Sequence, residues 1–113
     1  MPAAGGHAID NKNIGRDALS RWFRILAALA AMSGVKIATL DRLISGDRHD
    51  PILILGRAIG LEWVTVRALI LLRLGPTRVP SPTDIENVRV NFVRLMPLTA
   101  ERVVSFWQTR QSA

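Results

Sequence analysis

Apolar residues recur along this chain at helical spacing, and nowhere do they alternate with period two for long enough to make a strand. Leu19, Trp22, Phe23, Leu26 and Leu29 fall on one face of a helix predicted from Asp17 to Met32, with Arg16, Arg21 and Arg24 on the outer side. Ser33-Gly34 ends it, because glycine accepts the positive φ that follows many helices. A second helix is expected from Val35 to Ile44, with Ile37, Leu40 and Ile44 on its stripe. Asp50-Pro51 reads as a start, with Asp capping free amides and Pro fitting the first turn. The third helix then runs from Pro51 to Ile59, where Gly60 closes it.

The fourth predicted helix, Glu62 to Leu74, is the most apolar. Glu62, Thr65 and Arg73 share one arc, but Leu69 interrupts it and Arg67 lies nearly opposite. A helix with no clean polar side is expected to be buried and central. Positions 76–81 form a proline-containing break. Ser81-Pro82-Thr83-Asp84 opens a fifth helix with a capping serine, and Ile85, Val88, Phe92, Leu95 and Met96 make its stripe. Pro97 is expected to stop it. Thr99-Ala100-Glu101 starts a sixth helix, with Ala100, Val103, Val104 and Trp107 inward, and the last two helices are expected to form an antiparallel hairpin.

This pattern predicts an all-α domain over 16–113, of about six short helices. The arrangement expected is an irregular bundle or α-solenoid-like helical hairpins. Residues 1–15, with three glycines and no apolar period, are expected to be a disordered arm.

Composition narrows the chemistry. The 113 residues suit one domain, and 49% hydrophobic content excludes disorder for the bulk of them. Cysteine is absent, which removes disulfides, thiolate metal sites and a cysteine nucleophile together. The longest charge-free apolar run, Ile25 to Val35, is short of the about 20 residues a bilayer requires. No secretory signal is read at the start, so the cytoplasm is the expected location. The net charge is +6, and 13 of the 15 basic residues are arginines. They are scattered, with no run of three, which reads as a solvated surface rather than a phosphate-binding patch.

Two stretches carry a family resemblance. Gly46-Asp-Arg-His-Asp-Pro-Ile-Leu-Ile-Leu-Gly-Arg-Ala-Ile-Gly60 continues into Leu61-Glu-Trp-Val-Thr-Val-Arg67, and the chain closes on Leu95-Met-Pro-Leu-Thr-Ala-Glu-Arg-Val-Val-Ser-Phe-Trp107. In this order they resemble the C-terminal part of a bacterial family of helical proteins known only as a domain of unknown function. The resemblance covers roughly Asp17 to Arg110. It implies helices stacked as hairpins and assigns no reaction and no functional residue. Members of that family are typically much longer, so this chain is expected to be a fragment, a shortened paralogue or a module whose exposed faces a partner covers.

Candidate chemistry is sparse. Asp47, His49 and Asp50 could ligate a metal, but Asp50 is accounted for as a cap and a lone loop histidine is common. The serines lack a partnering histidine pattern, no carboxylate pair is suggested by spacing, and no phosphate loop is present. No enzyme, metal site or cofactor is therefore expected. Trp22, Trp63 and Trp107 read as core before interface. Arg16, Arg21 and Arg24 with Trp22 and Phe23 give only a faint membrane-surface pattern.

Two functions remain. The first is a non-enzymatic helical protein–protein interaction or regulatory module, through a protein partner or self-association. Phe106, which points away from the apolar side of its helix, with Arg94 and Arg102, is its candidate surface. The second is a small DNA-binding regulator built on residues 52–74. Gly56, Gly60, Val66 and Leu69 reproduce helix-turn-helix spacing, and Val64 and Arg67 would contact DNA. That face, Val64, Arg67, Ala68 and Leu71, holds one cation and no Asn or Gln to read bases, which favours the first reading. An open, basic ridge at Val64, Arg67 and Leu71 would reverse the preference.

Overall fold

The computed structural model describes residues 19–46, 48–75 and 77–112; the expectation placed on residues 1–15 lies outside them. Among the described residues six helices follow one another: α1 (Leu19–Ser33), α2 (Ile37–Ile44), α3 (Asp50–Ile59), α4 (Trp63–Leu74), α5 (Pro82–Arg94) and α6 (Pro97–Ser112). No strand occurs among the described residues, so the domain is all-α. No single described helix is long and apolar enough to cross a membrane. α1 and α2 meet that length and composition only when added together across a 112° bend.

Local chemistry sets most of the boundaries. Gly34 takes φ 73° after α1 and its N–H donates to the Ala30 carbonyl at 2.9 Å, ending the helix where the sequence placed the stop. Ser81 caps α5: its Oγ accepts from the Asp84 N–H at 3.1 Å. Two expected roles change. Asp50 does not cap α3; it is the first residue of that helix, and its carboxylate pairs with Arg48 at 2.7 Å. Pro97 does not merely stop α5. It opens α6, two residues before the expected start, because the first helical turn needs no N–H from it.

The central helix is α3, which packs against α2, α4, α5 and, most extensively, α6. Ile52, Leu53, Leu55 and Gly56 are its buried residues. Trp22 and Leu29 of α1, Ile44 of α2, Ile52 and Leu55 of α3, and Leu69 of α4 close around one point of the core. Ala100 and Val104 turn the inner face of α6 toward this body. Because α6 lies along α3 rather than chiefly back along α5, the arrangement is an irregular bundle and not a stack of hairpins.

The expectation of a central α4 is overturned. Only Val66 and Ile70 of that helix are buried, while Val64 is 71% exposed and Arg67, Ala68 and Leu72 also face solvent. Its missing polar side marks an apolar outer face, not enclosure. α1 departs in the same direction. Leu26 and Leu29 are buried, but Leu19 and Phe23, assigned to the same stripe, are 57% and 52% exposed.

Candidate functional site

The α3–α4 corner is built from two glycines with different tasks. Gly60 terminates α3 at φ 81°, ψ 26°, the left-handed conformation that costs a side-chain-bearing residue most. Gly56 allows contact. A Cβ built on it would stand 2.7 Å from Val66 Cγ2, so α4 crosses α3 at a distance only glycine permits. The Leu61 N–H donates to the Gly56 carbonyl at 2.8 Å, and the Val66 N–H to the Glu62 carbonyl at 3.1 Å, completing the turn. The spacing of Gly56, Gly60, Val66 and Leu69 thus corresponds to a real helix–turn–helix corner, with Val66 buried and Leu69 half-buried inside it.

The outer face of this corner carries Val64, Thr65, Arg67, Ala68 and Leu72, all exposed, while Leu71 is half-buried. It is open, as a DNA-reading helix must be, but it holds one cation. Arg73, the next basic residue on α4, points elsewhere: its guanidinium donates to the Ile44 carbonyl at 3.2 Å and to the Gly46 carbonyl. Arg57, on α3, is also committed. Its Nε donates to the Leu95 carbonyl at 2.7 Å and its guanidinium lies 5.3 Å from the centre of the Phe92 ring, tying α3 to the α5–α6 corner.

The second exposed surface lies on α6. Leu98, Arg102, Phe106 and Arg110 follow one another at intervals of four and are all exposed, on the side opposite Ala100 and Val104. Phe106 is 58% exposed, and the Arg110 guanidinium lies 5.6 Å from the centre of its ring. Arg102 and Phe106 therefore share a face, as a common surface requires. Arg94 lies at the end of α5, not on this stripe. It lines a separate cleft of about 320 Å³ between α3 and α5, with Asp50, Leu53, Ile54, Asn91 and Leu95. Arg89 is paired with Glu86 at 2.6 Å.

The remaining candidates resolve as follows. Trp22, Trp63 and Trp107 are half-buried and packed against the core, Trp63 against Phe92 with ring centres 5.8 Å apart. His49 and Asp50 are engaged by Arg73 and Arg48, and Asp47 lies outside the described residues. Of the faint membrane-surface set, Phe23, Arg21 and Arg24 are exposed on α1, and Arg16 lies outside the described residues. Sequence reasoning did not anticipate the joint role of Arg73 and His49. A basic residue in the last turn of α4 and a histidine at the start of α3 carry no local sign that they meet.

Comparison with curated proteins and with solved structures finds no match for either. A protein family does match, over residues 19–105, which takes in all of α1 to α5 and most of α6. The chain belongs to this family, described as an uncharacterised protein conserved in bacteria (DUF2336).

Proposed function

We propose that this domain is a non-enzymatic, cytoplasmic helical interaction module that docks a partner protein through the outer face of α6. The observation that carries this reading is the stripe Leu98–Arg102–Phe106–Arg110, which sets two large apolar side chains and two cations on one exposed helix face. Phenylalanine and arginine are the residue types that anchor protein interfaces, and neither is held in the core here. A partner that fits is an apolar surface bearing carboxylates.

The test is affinity capture from the source cytosol by the full chain, followed by mass spectrometry, comparing the native protein with Phe106→Ser and Arg102→Glu. Light scattering after size exclusion measures self-association in parallel. Because Phe106 is exposed, its replacement leaves the thermal midpoint within the small change expected of surface substitutions. A partner, or a second copy, retained by the native chain and lost by both variants supports the reading. Retention by both variants, or a native chain that stays monomeric and retains nothing, overturns it.

A second reading, duplex-DNA binding by α3 and α4, rests on one specific observation: the outer face of α4 is open, with Val64, Thr65 and Arg67 exposed on the helix that follows the left-handed Gly60 turn. Its contact residues would be Val64 and Arg67. Titration of duplex DNA at low and moderate salt separates the two. Retardation that Arg67→Ala weakens supports this second reading; no retardation at low salt ends it.

A further inference from the structure

Arg73 sits in the last turn of α4 and reaches away from it, to the connection between α2 and α3. Nη1 donates to the carbonyl of Ile44, the final residue of α2, and to that of Gly46. The Ile44 carbonyl is one that a helix end leaves without an intrahelical donor, the Gly46 carbonyl belongs to the loop just beyond it, and a cation there also meets the negative end of the α2 dipole. Nη2 lies 2.7 Å from His49 Nδ1. His49 in turn starts α3, its carbonyl accepting from the N–H groups of Ile52 and Leu53 at 3.0 and 3.2 Å. One side chain from α4 therefore gathers the end of α2 and the start of α3.

The chemistry of the last contact fixes a protonation state. A guanidinium has only donors, so His49 Nδ1 must be the acceptor and the imidazole must be neutral, with its proton on Nε2. Adding a proton at Nδ1 removes the acceptor and places a second cation at hydrogen-bond distance from the first.

We propose that the Arg73–His49 contact is an acid-released clasp, closed while His49 is neutral and opened when its ring gains a proton, which releases the start of α3 from α4 while Arg73 keeps its hold on the Ile44 and Gly46 carbonyls. Among the described residues, the charges that face His49 are Arg73 from α4, Arg78 from the segment after α4, and its neighbour Asp50. Arg73 and Arg78 oppose the imidazolium. Asp50 favours it but is already paired with Arg48. Partial burial is the largest influence and Arg73 the next, and together they hold the His49 pKa below 6.5. The unfolded chain consequently binds a proton at a pH where the folded chain does not. Stability contributed by the clasp is complete above about pH 6.5 and is lost as pH falls from there through the folded-state value.

The measurement is made on the full chain, which has two histidines, His7 and His49. Amide exchange protection of Ile52 and Leu53, whose N–H groups donate to the His49 carbonyl, is compared between about pH 8 and about pH 5 after correction for intrinsic rates, with α5 amides as the internal reference. Protection of these two amides is expected to fall several-fold relative to α5. In His49→Gln, whose amide oxygen accepts from Arg73 at either pH, the two values are expected to agree. Equal protection in the native chain at both pH values, or the same loss in His49→Gln, overturns the proposal. Nitrogen-15 spectra of the native chain give an answer that requires no variant. The clasp demands an Nε2–H tautomer for His49 and a titration below 6.5, the ordinary imidazole value; an Nδ1–H tautomer, or titration at or above 6.5, refutes it.

Discussion

Replacing Gly56 by alanine sets two effects of opposite sign against each other. In a helix interior alanine is more favourable than glycine by about 1 kcal/mol, so helix propensity alone would stabilise α3. The structure opposes this. The new Cβ falls 2.7 Å from Val66 Cγ2, with Phe92 Cε1 at 3.6 Å and Leu61 Cβ at 3.8 Å behind it. Only the first of these contacts is impossible, but Val66 cannot turn away cheaply. It is fully buried, and a β-branched side chain in a helix has one strongly preferred rotamer. The two helices must separate or the valine must leave its rotamer. Overpacking of this kind costs about 1–3 kcal/mol. The net expectation is destabilisation by roughly 1 kcal/mol, taking the middle of that range against the propensity gain.

A double-mutant cycle with Val66→Ala isolates the clash. On its own, Val66→Ala removes two methyl groups from the core and is expected to cost roughly 2 kcal/mol. With those methyls gone, nothing remains at 2.7 Å, and Gly56→Ala should become stabilising by about 1 kcal/mol through propensity. Urea denaturation followed by helical circular dichroism gives all four stabilities. If Gly56→Ala stabilises the native protein, and by the same amount in both backgrounds, the close crossing of α3 and α4 is not what holds this position as glycine.

Two further substitutions test the ends of helices. Gly60→Ala meets no atom within 4 Å, so its cost of about 1–2 kcal/mol is conformational alone, and Gly60→Asn should lose less in the same urea titration. Ser81→Ala removes the acceptor for the Asp84 N–H and should lower stability by about 1 kcal/mol, while Ser81→Asp should retain most of it.

The helices, their order and several of their ends were legible in the sequence because each is decided within a few residues. Ser81 caps three positions on, and Gly34 and Gly60 adopt left-handed φ beside the helices they close. The placement of faces was less legible. Leu19 and Phe23 share a helical arc with Leu26, yet only the last is covered, since coverage depends on where other helices lie. α4 was misjudged for the same reason. An apolar helix is central only if there are enough neighbours to surround it, and those neighbours gather on α3 instead. The short run Ile52-Leu-Ile-Leu55 contained the signal for that, concealed by the brevity of the helix. For the candidate surface, the exposure of Phe106 followed from its angle on α6 and stands. That Arg94 lines a cleft with Asp50, Leu53 and Ile54 of α3 depends on how α5 packs against α3 and could not be read from spacing.

The α3–α4 corner separates the geometry of a motif from its chemistry. Gly56, Gly60 and Val66 set the crossing and the turn, and Val66 faces inward, so they say nothing about a ligand. What such a corner binds is decided by Val64, Thr65, Arg67, Ala68 and Leu72, which share none of the constraints that fix the fold. Each phosphate neutralised on duplex DNA contributes about 0.9 to the slope of log affinity against log salt, and non-specific affinity accumulates over several such contacts. Arg67 supplies one, since Arg57 and Arg73 are engaged by Leu95 and by Ile44, Gly46 and His49. A valine, an alanine and a leucine beside one arginine are better suited to an apolar protein surface than to base edges, which offer hydrogen-bond donors and acceptors. The same mixture recurs on α6, where Leu98 and Phe106 alternate with Arg102 and Arg110. Two outward faces of matching character on one small domain support docking to protein, and the helix–turn–helix geometry then serves to hold α4 rigidly against α3.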